Sequence, residues 1–180
     1  MGLDVTAYSH LKAVGLHADG WCQDDNHIVA FAYADFPRSF AGIPVLCTYS
    51  VGRIFDETSI LDGGCYEITP ETRVHDFSAG GYGSHCAWRK DLARQFNPAA
   101  IINDDGTSIG EPDPDKPFYE LIWFADNEGC IGELAAAELL ADFRAHADTY
   151  QASDDWDRRK YDHWTRACEL AADGGLIRFH

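Results

Sequence analysis

Apolar and polar positions alternate, cluster and then recur at helical spacing along this chain, and they do so in that order. Residues 3–16 (LDVTAYSHLKAVGL) place Val5, Ala7 and Leu11 on apolar faces, and their Thr and Tyr favour a strand. His27–Tyr33 predicts a second strand, with a polar, turn-rich segment before it and a Pro- and Gly-broken irregular segment, Phe36 to Pro44, after it. Short strands are expected within Val45–Phe55, at Cys65–Thr69 and at Glu71–Phe77. The period then changes. Trp88, Leu92 and Phe96 recur four apart, which predicts a helix over 84–96, capped by Ser84 and stopped at Asn97-Pro98.

Residues 99–117 carry clustered acids and prolines and are expected to form a long surface loop. The aromatic run Phe118–Ala125 predicts a central strand, and Asp126 to Gly129 a turn. Ala136, Leu139, Leu140, Phe143 and Ala147 keep 3.6 spacing for a second helix. Ser153 is the expected cap of a third, with Trp156, Trp164 and Cys168 inward, and Asp173-Gly174-Gly175 ends it. Leu176–Phe179 is expected to return as an edge strand. This order does not alternate βαβα. It predicts the α+β class: a single domain over 1–180, with a mostly antiparallel or mixed sheet and about three helices packed on it.

With 180 residues, 46% hydrophobic and 13% aromatic, the chain can bury a sizeable core. Its net charge of −16, from 30 acidic against 14 basic residues, argues against direct nucleic-acid binding, which needs cations to neutralise phosphates. The same charge suits a surface that attracts basic proteins or imitates nucleic acid. The six cysteines form no CxxC pair, so reduced, mostly buried thiols in a cytoplasmic protein are expected. No basic n-region precedes an apolar core at the start, and no apolar run reaches a membrane span, so no membrane association is expected.

The stretch Phe77 to Arg89 (FSAGGYGSHCAWR) is the first candidate for chemistry. Gly80, Gly81 and Gly83 let the backbone approach a guest, a helix start offers amide donors, and Arg89 lies one turn further on. The spacing is neither that of a P-loop nor GxGxxG, which leaves a generic anion nest. Ser78, Gly80, Gly81, Tyr82, Ser84, Trp88 and Arg89 form the candidate ligand-binding set. Asp126 and Glu128 join it as acceptors at a strand end, and Asp4 and Tyr8 as residues four apart on one face of the first strand. As a carboxylate pair, Asp126 and Glu128 also suit a divalent cation or acid–base work, but two carboxylates alone make no metal site. Ser84-His85-Cys86 are chain neighbours that do not face one another, and no GxSxG elbow is present, so no catalytic residue is assigned. His17, Cys22, Asp24, Asp25 and His27 match no closed zinc pattern. No cofactor and no metal are expected.

The segments GLDVTAYS, FSAGGYGSHCAWRKDL, PFYELIWFADNEGCIG and ELAADGGLIRFH together resemble a group of tailed-phage and prophage proteins. That group shows a GLDITAYS-like start, an FSAGSYSGYNxWR-like middle, an ELxNFSDCEGxIG-like segment and an ADGGxxxFH-like end. The likeness spreads over most of the chain. Gly83 to Cys86 and Trp123 to Glu128 depart from it in part, whereas Ser78, Tyr82, Trp88, Arg89, Asp126, Glu128 and Gly129 match. The resemblance implies a role in the host cytoplasm during infection and carries no activity with it. Together with the residues it suggests a binding protein, not an enzyme, that sequesters a nucleotide-derived signal of host immunity. The alternatives are an acidic, anti-CRISPR-like inhibitor of a host defence complex and a metal-dependent hydrolase. The expected partner is a small anionic ligand or a host defence protein, with a homo-oligomer possible.

Overall fold

A computed structural model describes residues 2–15, 22–24, 27–29, 38–40, 43–47, 53–55, 65–101, 109–123 and 129–179. The strands are β1 (Gly2–Tyr8), β2 (Lys12–Gly15), β3 (Cys22–Asp24), β4 (His27–Val29), β5 (Arg38–Phe40), β6 (Ile43–Cys47), β7 (Arg53–Phe55), β8 (Cys65–Glu67), β9 (Val74–Gly81), β10 (Gly129–Gly132) and β11 (Leu176–Phe179). The helices are α1 (Tyr82–Phe96), α2 (Tyr119–Trp123), α3 (Glu133–His146) and α4 (Asp155–Ala171).

Five strands form a mixed sheet in the order β7-β10-β11-β1-β9, antiparallel except for the parallel β7–β10 pair. The protein is therefore of the α+β class. Register explains which face is buried. Val5 stands opposite Phe179 and Phe77, Ala7 opposite Ile177, and Ile177 opposite Ile131. All of these, with Leu3, belong to the main core, beneath residues of the four helices such as Leu92, Leu121, Leu139 and Trp164. The period of two sends Asp4, Thr6 and Tyr8 to the other face. There Tyr8, Cys130 and Leu176 form a second, smaller core with Tyr66 of β8. Strand β8 belongs to a separate four-stranded antiparallel sheet, β2-β8-β6-β5, and β3 pairs with β4.

Within the expected strand Phe118–Ala125, Tyr119–Trp123 is helix α2, not a strand. A short continuous apolar run reads the same for a buried strand or a buried helical turn, and periodicity cannot separate them. Two hydrogen bonds decide it here, one to a distant helix and one local. The Phe118 amide donates to Asp142 Oδ2 at 2.7 Å, and the Ile122 amide closes the turn on the Phe118 carbonyl. Strand β11 sits in the middle of its sheet and not at the edge. The expected irregular segment before Pro44 contains β5 and the start of β6, and the strand expected over 3–16 divides into β1 and β2 at His10.

The expected 99–117 surface loop is tied down where it is described. The Asn97 side-chain amide bonds the Asp113 backbone in both directions, at 2.9 and 3.0 Å, and Ile101 bridges Ile109. The N-cap of helix α4 is Asp154, one residue after the expected Ser153, because the Asp154 carboxylate accepts from the Asp157 amide at 2.8 Å. No helix among the described residues is long and apolar enough to cross a membrane.

Candidate functional site

Strand β9 passes directly into α1, and the glycines sit at the join. Gly81 is the N-cap, and as a glycine it brings no side chain to cap the first turn. Ser84, the expected cap, is the third residue of the helix instead, because the helix begins two residues early. Its Oγ lies against Gly80, where an added Cβ would overlap it. Gly80 itself has φ +92°, a conformation that favours glycine. Its amide donates to Ser78 Oγ at 3.3 Å. No acidic residue occupies the first turn of α1, and space is open beside Gly83. Tyr82 is 40% exposed here. So is Trp156 of α4, at 43%, although its spacing with Trp164 predicts that it points inward. Its Cζ2 comes within 3.7 Å of the Cβ position at Gly80.

Two members of the candidate set on α1 lie inside the protein. Trp88 is buried, and its indole nitrogen donates to the Tyr150 hydroxyl at 2.8 Å, so its face is not offered to a guest. Arg89, expected beside an anion, is 5% exposed. Its Nε donates to the Leu121 carbonyl at 2.9 Å, and another guanidinium nitrogen donates to the Ile122 carbonyl. Those carbonyls belong to the last turn of α2, where a helix leaves acceptors unmet and its dipole favours a cation. The correction has a simple cause. Arg89 follows Trp88 and His85 on the face of α1 that turns inward, so a guanidinium one turn from the helix start points into the core and not at the glycine turn.

Asp4 and Tyr8 share a face, as alternation predicts, but it is the face away from the helices. Asp4 is exposed and stands opposite Ser78 across the β1–β9 ladder. Tyr8 is buried in the smaller core, and burial raises its hydroxyl pKa. Asp126 and Glu128 lie outside the described residues. The candidate set therefore divides into a glycine turn with Tyr82 and Ser84 at the sheet edge, Asp4 and Ser78 on the far face, and Trp88, Arg89 and Tyr8 in the interior.

The cation that the structure places at the turn is Lys160 of α4. It is 2% exposed. Its Nζ donates to the Ser84 carbonyl at 3.3 Å and pairs with Asp157 Oδ1 at 3.1 Å. It also lies 5.9 Å from the ring centroids of both Trp88 and Trp156. The signal for it is present in the sequence: Trp156, Lys160 and Trp164 recur four apart, so a lysine occupies the inward stripe of an amphipathic helix.

Beneath the turn, His85 is buried between Trp88 and Trp164, with ring centroids 6.0 Å from each. Neither of its ring nitrogens has a partner, nor has the Trp164 indole nitrogen. Burial, reinforced by Arg89 and Lys160, pushes the His85 pKa down to about 3. The folded protein thus holds this ring neutral, whereas the unfolded chain takes up a proton below about 6.5. Stability is full above that pH and falls as the pH drops toward 3, by up to about 1.4 kcal/mol per unit from this group. Urea midpoints at pH 7.5 and 5.0 are expected to separate in the wild type and to draw together in His85→Phe. An equal acid loss in both proteins would assign the effect elsewhere.

Comparison of the chain with protein-family models, with curated proteins and with solved structures gives no match. The chemistry must therefore be read from the residues themselves. Among the described residues, no group of three or more His, Cys, Asp or Glu is placed to hold a metal ion. Carboxylates do gather between α2 and α3, where burial, with Glu138 and Asp142 nearby, pushes the Glu120 pKa up to about 7. Cys130 and Cys168 are free and buried, and Cys86 is half-buried. Burial raises the Cys130 thiol to about 12, far from the range of an activated nucleophile.

Proposed function

We propose that the protein is a binding protein, not an enzyme, and that it holds a small anionic molecule with a flat ring at the start of α1. The observation that carries this reading is the join itself: a glycine N-cap, no acid in the first turn, and two half-exposed aromatic rings, Tyr82 and Trp156, beside a glycine turn. Amide donors at a helix start suit a phosphate, and exposed aromatic faces suit a base. Lys160, paired with Asp157, backs the turn through the Ser84 carbonyl. These features favour a nucleotide-derived ligand. With the resemblance to phage proteins, that ligand fits a signal of host immunity, withdrawn from use by capture during infection.

Calorimetry with nucleotides and cyclic dinucleotides tests the reading. Both Trp156→Ala and Tyr82→Ala are expected to weaken binding at least about tenfold, since stacking on an aromatic ring is worth about 1–3 kcal/mol per base. Neither side chain is buried, so the melting temperatures should hardly move. Affinity retained in both variants would remove the turn as the binding site.

A second reading draws on the net charge of −16 and on the exposed Asp154, Asp155 and Asp162 on the helix that bears Trp156. Aromatic rings among carboxylates suit the basic, nucleic-acid-binding surface of a host defence protein. Such binding weakens steeply with salt and needs a protein target, whereas ligand capture works with small molecules alone.

A further inference from the structure

Away from the glycine turn, β9 and α4 bring two imidazoles together. His163 Nδ1 lies 3.3 Å from His75 Nε2. The rings are 5.3 Å apart between centroids and inclined by 25°. Both stack on Phe77, at 5.6 and 5.2 Å, and Phe77 in turn meets the edge of the buried Trp164 at 5.3 Å. The pair is thus held by a strand on one side, a helix on the other and a core aromatic below, with its outer side in water. His163 is exposed and His75 half-buried.

Two nitrogens bound to one ion at about 2.0–2.1 Å lie roughly 2.9–3.4 Å apart for bond angles between octahedral and tetrahedral. The observed separation falls in that interval. We propose that His75 and His163 form a surface site for a divalent cation that prefers imidazole, such as nickel or zinc, with water in the remaining coordination positions. The site has two protein donors and is open, as an exchangeable surface site would be. Its electrostatics are compatible with an imidazole ligand, which must be neutral to bind. Burial lowers the His75 pKa, and His163 and Arg166 lower it further, against the opposite pull of Asp76. Arg166 is itself engaged by Glu169 at 3.0 Å, and the neighbouring Asp162 by Arg158 at 3.8 Å. The reference state is a hydrogen bond between two neutral imidazoles; a metal would replace it, with the bridging proton moving to the donor ring's other nitrogen, so that each ligand stays neutral.

Nickel is the suitable probe, because imidazole suits it and soft thiolates select other ions. Calorimetric titration of the full chain at pH 7.5 is expected to show one nickel ion per chain. Binding should weaken at least about tenfold in both His75→Gln and His163→Gln and stay unchanged in His146→Gln. Thermal melts of the variants, which alter a surface pair, should confirm that they fold. No binding by the wild type, undiminished binding in either glutamine variant, or equal loss in His146→Gln would overturn the proposal.

Discussion

Gly175→Ala is expected to cost at least about 3 kcal/mol of stability, more than Gly174→Ala beside it. Gly175 follows the end of α4 and packs against the end of β1. A Cβ there would overlap the Tyr8 carbonyl oxygen and lie 2.6 Å from its carbon and 2.9 Å from Ser9 Cα. These are backbone atoms of a strand bonded on both sides, so no flexible side chain can move away. The same junction is fixed by hydrogen bonds from the His10 amide to the Asp173 carbonyl at 2.9 Å and from the Leu11 amide to the Gly174 carbonyl at 2.8 Å. The neighbouring Gly174→Ala meets nothing closer than 4.0 Å but has φ +66°, so its cost should be only the left-handed penalty of about 1–2 kcal/mol. Denaturant titration of the two variants checks the order. A larger loss for Gly174→Ala would show that close approach is not what Gly175 provides. The ADGG run that helps to carry the phage resemblance is, on this reading, a packing joint and not part of a ligand site.

Arg89→Ala should lose about 3 kcal/mol or more, which is roughly 6–12 °C in melting temperature for a chain of this size. The guanidinium is buried and supplies donors to the Leu121 and Ile122 carbonyls of α2. Arg89→Lys keeps the charge but not the forked geometry, and should fall between the alanine variant and the wild type. A melting temperature within about 2 °C of wild type for Arg89→Ala would refute the structural role. The consequence for functional work is direct: loss of ligand binding in Arg89→Ala would report a damaged fold, so the exposed Trp156 and Tyr82 are the informative positions.

Side chains whose burial follows from period alone were legible in the sequence. Ala136, Leu139 and Phe143, and then Trp164 and Cys168, all point inward at helical spacing, and Val5 and Ala7 alternate into the core. What the pattern lacked was tertiary information. Phe118 to Trp123 is equally apolar as strand or helix, and only Asp142, far along the chain, distinguishes them. Arg89 reads as a surface cation until the carbonyl ends of α2 are placed beside it. Lys160 reads as a solvated charge until Asp157 pairs with it and the Ser84 carbonyl accepts its hydrogen bond. Buried charges depend on partners brought by other elements, and one-dimensional spacing does not name them.

The position of β11 has a further consequence. It is the last strand in chain order, yet β10 and β1 both bond to it and not to each other. As the chain emerges from a ribosome, the β1–β9 pair and the β7–β10 pair have no shared rung. The main sheet unites only when residues 176–179 arrive between them. Pairing over so long a separation is slow, and a chain cut before Leu176 keeps two half-sheets, each with a bare inner edge.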